Sequence, residues 1–368
     1  MTTWLLRLDV DGEGPRVAVK DCIDVAGTPT TVGCAAIAAD AEPARFDAPV
    51  VANARAAGAR IVGKTNLTEL CRHADGVNPW TGTPRNPLDP ERIPGGSSSG
   101  SAVAVVRGEA DVGYGTDTGG SVRVPAACCG IAGLKTTASR VPTHGVFEFS
   151  RTLDTVGPLA RDVAGLAVGM GLLEPGFAAA ATYDGPRTVA RLRLPGVAAD
   201  LDRAVDAALT AAGIAATDVT LPQWDDWVAA ANTIMTAEGF HAHRHLLDRA
   251  DQLEERHAEG IREGAAIPAE RVVASRRLDR AARVEVAELL DRYGALALPT
   301  MQSLPPKLGE PAATTYLTAP VNLLGLPAVA LPVPRDAGGF PASLQLVGPW
   351  FAEEQLLALA GLVETALG

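Results

Sequence analysis

A serine that attacks carbonyl carbon needs a base beside it and a place where negative charge can collect. Two stretches of this chain offer parts of such a site. The first is Gly115-Thr116-Asp117-Thr118-Gly119-Gly120-Ser121-Val122-Arg123, where a glycine pair leads into a serine followed by apolar residues. Successive backbone N–H groups in such a turn can converge on a developing oxyanion, as acyl transfer requires. The second is Pro94-Gly95-Gly96-Ser97-Ser98-Ser99-Gly100-Ser101, ahead of an apolar run. Its small hydroxyl residues also suit a helix cap, and alone it reads as a capped loop. For the base, none of His73, His144, His241, His243, His245 and His257 accompanies a G-x-S-x-G elbow. His241 and His245 share a helix face without a third ligand, so a solvated face is expected there rather than a metal site. Lys20 is the remaining candidate, interrupting the apolar run Val17-Ala18-Val19. Burial in low dielectric disfavours an ammonium, so a buried lysine can accept a proton. From the strand alone, a lysine on a sheet edge facing water is the stronger reading.

A rival chemistry is written in GARIVGKT (58–65), which fits the G-x-x-x-x-G-K-T pattern of phosphate-binding loops. Such a loop places flexible residues between its glycines, after a strand and before a helix. Here the interval Ala-Arg-Ile-Val is itself strand-like, so the match is one of spacing. Lys64 is expected to be structural, paired near Glu69.

The elements that must position these residues alternate. Strand patterns occupy 16–21, 59–65 and 111–120, and helical ones 48–58 and 101–110, with a Thr-capped helical start at 65–70. A helix is expected over 162–176, then strand, helix (199–212) and strand up to 221. Residues 224–292 read as helical and charged, 326–334 and 342–348 as strands, and the end as an amphipathic helix. Alternation of this kind predicts an α/β fold, a large mixed sheet covered by helices on both faces in one compact domain. The Ala-rich tract 177–186 is the one plausible hinge.

Composition excludes several classes. A hydrophobic share of 47% and a charged share of 20% describe a globular chain with a sizeable core. A formal charge of −11 argues against nucleic-acid partners, which need concentrated Lys and Arg. Cys22, Cys34, Cys71, Cys128 and Cys129 form no C-x-x-C pair and read as reduced thiols of a cytoplasmic protein. No run is long enough for a membrane span, and Trp4-Leu5-Leu6 is too short for a signal peptide.

Together, residues 95–137 resemble the glycine- and serine-rich signature of the amidase signature family. The resemblance extends through 17–31, 58–70, 82–96 and 153–163, and resumes at 319–334 and 344–349. Residues 177–300 diverge, and the resemblance implies a variable, mainly helical substrate side there within a single amidase domain over 1–368. The compact length is similar to the branch that includes indole-3-acetamide hydrolases.

The resemblance implies a Ser–Ser–Lys triad. Ser121 is the nucleophile, Ser97 the bridging serine after a cis peptide bond from Gly96, and Lys20 the terminal base. Backbone N–H groups of Thr118, Gly119, Gly120 and Ser121 would form the oxyanion hole. Ser99, Thr116 and Asp117 would support the hydrogen-bond network, and Arg123 would organise the loop. No cofactor and no metal is implied. The expected activity is cleavage of a small amide, the alternative being the glutaminase subunit of a tRNA-dependent amidotransferase, and a third reading a nucleotide-binding protein. Trp80, Phe147, Phe149, Trp224, Trp227 and Tyr316 are candidates for an acyl pocket or for ordinary core. The substrate partner is a small molecule, and the apolar surface permits a homodimer.

Overall fold

The computed structural model describes residues 3–311 and 314–368. Among these, eleven strands form one sheet: β1 (Trp4–Arg7), β2 (Arg16–Lys20), β3 (Arg60–Thr65), β4 (Val112–Asp117), β5 (Ala132–Lys135), β6 (Thr155–Ala160), β7 (Thr188–Leu192), β8 (Ala215–Val219), β9 (Leu296–Pro299), β10 (Ala328–Val333) and β11 (Ala342–Val347). Their spatial order is β1-β3-β2-β4-β6-β5-β10-β11-β9-β7-β8, with parallel and antiparallel neighbours mixed. The helices are α1 (Ala35–Ala38), α2 (Pro49–Ala56), α3 (Ser99–Val106), α4 (Arg123–Cys129), α5 (Val163–Leu173), α6 (Ala199–Ala211), α7 (Trp224–His243), α8 (Glu255–Ala265), α9 (Ala269–Tyr293), α10 (Ala319–Leu323) and α11 (Glu353–Leu367). One face packs on α2, α5, α6 and α11 through Val50, Leu166, Val205 and Leu356. The other meets α3 and α4, and further along α7, α9 and α10. The expected α/β sheet covered on both faces is what forms.

Strand periodicity decides which side of the sheet Lys20 faces. Side chains alternate along a strand, so Val17 and Val19 enter the α2/α5 core while Ala18 packs with Ala104 of α3. Lys20, two residues beyond Ala18, falls on the α3 side. β2 lies between β3 and β4 and runs parallel to both. Lys20 therefore ends an interior strand and is wholly buried, which rules out the water-facing edge lysine. Parallel strands finish on the same side, so the ends of β2 and β4 bring Lys20 and Asp117 to one rim.

Two expectations are corrected. Residues 65–70 do not start a Thr-capped helix: Thr65 closes β3, its hydroxyl pairs with Ser101 Oγ at 2.8 Å, and only a 3-10 turn follows at Glu69–Cys71. The local capping pattern could not register that the strand's pairing with β1 and β2 continues to Thr65. Lys64 pairs with Asp21 at 2.9 Å rather than near Glu69, and also donates to Thr30 Oγ1. The solvated face expected at His241 and His245 is what forms, while His243 between them is buried, its Nε2 bonded to the Glu148 carbonyl at 2.8 Å. The run 58–65 is strand β3 and its lead-in, not a phosphate loop. Among the described residues no helix is long and apolar enough to cross a membrane.

Candidate active site

Lys20 Nζ donates to Ser97 Oγ at 2.7 Å and stands 2.7 Å from Thr116 Oγ1. All three groups are shut away from solvent or nearly so. The Gly96–Ser97 peptide is cis. Ser97 lies just ahead of α3, whose N-terminal end is bound to the glycine turn: Ser98 N–H donates to the Ser121 carbonyl at 3.3 Å. α3 can approach β4 because Gly115 has no side chain, and a Cβ there would come 2.7 Å from Ser98 Oγ. Ser99, by contrast, takes no part in the network expected of it. Its Oγ is buried without a hydrogen-bond partner, and its Cβ packs against Gly76.

The turn 117–121 is held from beneath by an ion pair. Arg123 donates from Nη2 to Asp117 Oδ1 at 2.8 Å and from Nε to Oδ2 at 3.0 Å, both side chains fully buried. Its remaining donors reach Gln345 Oε1 of β11 at 2.6 Å, the Thr318 carbonyl at 3.1 Å and Asn322 Oδ1 of α10 at 2.5 Å. Burial alone would raise the Asp117 carboxyl, but the adjacent guanidinium overcomes it and holds the group below the ordinary carboxylate range. That carboxylate accepts the N–H groups of Gly120 at 2.8 Å and Val122 at 3.1 Å. Gly120 therefore presents no free donor to a reacting oxygen. Among the described residues, the unpartnered N–H groups of the turn are those of Thr118, Gly119 and Ser121. Gly120 itself has φ +141°, and a Cβ there would strike the Thr318 hydroxyl, which donates to the Gly119 carbonyl at 2.5 Å.

A family model described as Amidase matches residues 14–174 and 187–357. The chain belongs to the amidase signature family. The A-type subunit of the glutamyl-tRNA(Gln) amidotransferase of Halobacterium salinarum is 37% identical over 96% of this amidase and 95% of its own length. A 2-amino-5-chloromuconic acid deaminase of Comamonas testosteroni is 33% identical over 96% of the chain and 82% of its own. A crystal structure described as that of an amidase superposes with a TM-score of 0.88 at 31% identity, covering 96% of this chain and 85% of that one. The protein is thus an enzyme of the amidase class, a hydrolase acting on carbon–nitrogen bonds.

The amidase opens onto its glycine turn through a cavity of about 440 Å³. Thr118, Gly119 and Ser121 form one wall, and Cys71, Arg72 and His73, at and just beyond the Glu69–Cys71 turn, form a second. Asn232, Met235 and Thr236 of α7 and Glu259, Gly260 and Glu263 of α8 complete it, so residues within 177–300 supply a large share of the lining. Of the six aromatic candidates, Phe149 lines this cavity. Trp224 and Trp227 are buried in the α7/α9 core, Trp80 is half exposed, and Tyr316 donates to Asp225 at 2.6 Å. Phe147 stacks on His243. Contact with Cys22 draws the Cys71 thiol below its ordinary value, against its burial and assisted by Lys20. The Thr118 hydroxyl donates to Asp154 at 2.5 Å, and that carboxyl also accepts the Phe149 and Ser150 N–H groups.

Sequence reasoning passed over Thr318, Asn322, Gln345, Asp154 and the Arg72–His73 wall. The first three lie in or beside the resembling segments 319–334 and 344–349, yet a lone Thr, Asn or Gln among apolar residues carries no spacing signal. Arg72 and His73 follow directly on a resembling segment, where the chain's own residues set the lining.

Proposed function

We propose that the enzyme hydrolyses a small amide to a carboxylic acid and ammonia or an amine through an acyl-enzyme on Ser121. The observation that carries this reading is the buried contact of Lys20 Nζ with Ser97 Oγ at 2.7 Å, on a serine whose neighbour is bonded to the Ser121 backbone. With Lys20 as the amine, the Ser97 proton passes to Nζ while Ser97 Oγ takes the proton of Ser121. Ser121 Oγ then adds to the carbonyl carbon. The resulting oxyanion meets the unpartnered N–H groups of Thr118, Gly119 and Ser121, each donor contributing about 2.7–4 kcal/mol in comparable sites. On collapse the relay returns a proton to the leaving nitrogen. Water then adds to the acyl carbon as the relay takes its proton, and the relay returns that proton to Ser121 Oγ as the ester bond breaks and the acid leaves.

The test is a fluorophosphonate probe followed by mass-spectrometric mapping of the labelled serine. Ser121 is the expected site, and Ser121→Ala should abolish both labelling and amide turnover. Full activity in that variant would end the proposal.

A second reading is the glutaminase subunit of a tRNA-dependent amidotransferase, supported by the likeness to the Halobacterium salinarum protein. Length does not separate the two, since the chain spans 95% of that relative. Ammonia release from glutamine and from simple amides by the purified chain alone discriminates them: the free-standing amidase hydrolyses simple amides without a partner.

A further inference from the structure

The proton relay and the glycine turn leave Arg72, a cation of the cavity, unused. Arg72 lines the same chamber as Ser121, and its Nη1 is buried without a hydrogen-bond partner. No ion pair joins its guanidinium to a carboxylate among the described residues. The fully buried arginines of the protein are saturated: Arg123 by Asp117, Gln345 and Asn322, Arg191 by Asp202 and Asp206. Glu263 attracts this guanidinium but forms no ion pair with it, so the Nη1 donors stay unspent, and their retention beside a nucleophile calls for a reason.

The surroundings are shaped to hold it. A Cβ on Gly260 of α8 would collide with the guanidinium, and one on Gly239 of α7 would come 3.4 Å from Nη1. The Phe149 ring lies on another side, 5.7 Å from Cζ, a contact that steadies a cation without consuming its N–H donors. Burial lowers the group only to about 10, so it stays cationic at neutral pH. Arg256, the other cation of the chamber, is already paired with Asp75 and Glu254. Glu259 and Glu263 are exposed on the α8 side of the chamber, so no broad basic field exists and recognition rests on short-range contact with Arg72.

We infer that Arg72 is the specificity-determining residue of the acyl subsite and that the enzyme's amides carry a carboxylate on the acyl side, seated on this guanidinium. The planar fork of an arginine suits a carboxylate. For a primary amide the leaving group is only ammonia, so the distinguishing charge must travel on the acyl part. This inference rests on the acyl-enzyme reading, with Ser121 marking the reacting end of the chamber.

The experiment follows the rate of fluorophosphonate labelling at Ser121 with glutarate or the neutral pentanamide as competitor, in the native enzyme, Arg72→Met and Arg72→Lys. Glutarate should protect roughly ten- to a hundredfold more effectively than pentanamide, the range of a hydrogen bond to a charged group. Arg72→Met should erase that difference and Arg72→Lys restore part of it. Glutarate should also raise the melting temperature of the native protein more than pentanamide does. Equal protection by both competitors, or protection by glutarate that survives Arg72→Met, overturns the inference. Should Arg72→Met not fold, the native comparison and Arg72→Lys decide. Should Ser121 resist labelling, the acyl-enzyme reading fails, while the melting shift still reports on the subsite.

Discussion

Lys20 and Lys64 sit on adjacent parallel strands, both buried, and differ in what they face. Lys20 faces two hydroxyls, Ser97 and Thr116, whereas Lys64 faces the Asp21 carboxylate and the Thr30 hydroxyl. Lys20→Ala should abolish turnover. Lys64→Ala leaves Asp21 buried and uncompensated, with an expected loss of about 3–5 kcal/mol of stability. Denaturant titration reads the second and amide turnover the first; equal effects of both variants on both assays would contradict the division of roles. Asp154 brings a pH dependence. Burial pushes its carboxyl up to about 7, against the pull of the Thr118 hydroxyl and the Phe149 and Ser150 N–H groups. A carboxyl raised on folding contributes stability fully below its unfolded value near 3.8 and loses it as pH rises through 7. The native protein should therefore gain melting temperature relative to Asp154→Asn as pH falls from 8 to 5. A difference between the two that stays constant over that range would refute this.

At the scale of elements, the site is a meeting of strand ends, one helix start and one turn. The pattern of Val17-Ala18-Val19-Lys20 made β2 legible, but no local pattern distinguishes an interior strand from an edge, and that distinction decides whether Lys20 meets Ser97 or water. The helix read at 101–110 and the strand read at 111–120 correspond to α3 and β4, whose bounds in the structure are Ser99–Val106 and Val112–Asp117. What stayed hidden was the clamp, because Asn322 and Gln345 act from segments about 200 residues away. Asn322 donates from Nδ2 to the Asp117 carbonyl at 2.9 Å and to Oδ1 at 2.9 Å while accepting from Arg123. Asn322→Ala should loosen the turn that aims the oxyanion donors. The expected result is a fall in kcat of roughly 10²-fold, the order seen when one oxyanion donor is lost, with a smaller change in KM. A rise in KM with kcat unchanged would show that the clamp serves binding rather than the turn.

The whole molecule is organised by one continuous sheet. The tract 177–186 reads as a hinge in sequence, yet β7 beyond it pairs with β9 in register Ala190↔Leu296, and β9 pairs with β11. The chain therefore returns to the same sheet instead of beginning a second body. Urea unfolding should show coincident midpoints for far-ultraviolet circular dichroism and for tryptophan fluorescence, since Trp224 and Trp227 are packed on the α7 side of that sheet. Separate midpoints would show that the two ends of the sheet unfold independently.

Arg123 ties the turn that carries Ser121 to α10 and β11, and this has a bearing on how the protein comes into being. Ser121 leaves the ribosome roughly two hundred residues before Asn322 and Gln345, the groups that complete the anchor. Throughout that interval Asp117 and Arg123 have each other but not their distant partners. A nascent chain thus carries Ser121 in an unfinished setting, and on the proposed mechanism it should gain hydrolytic power only once β11 has joined the sheet.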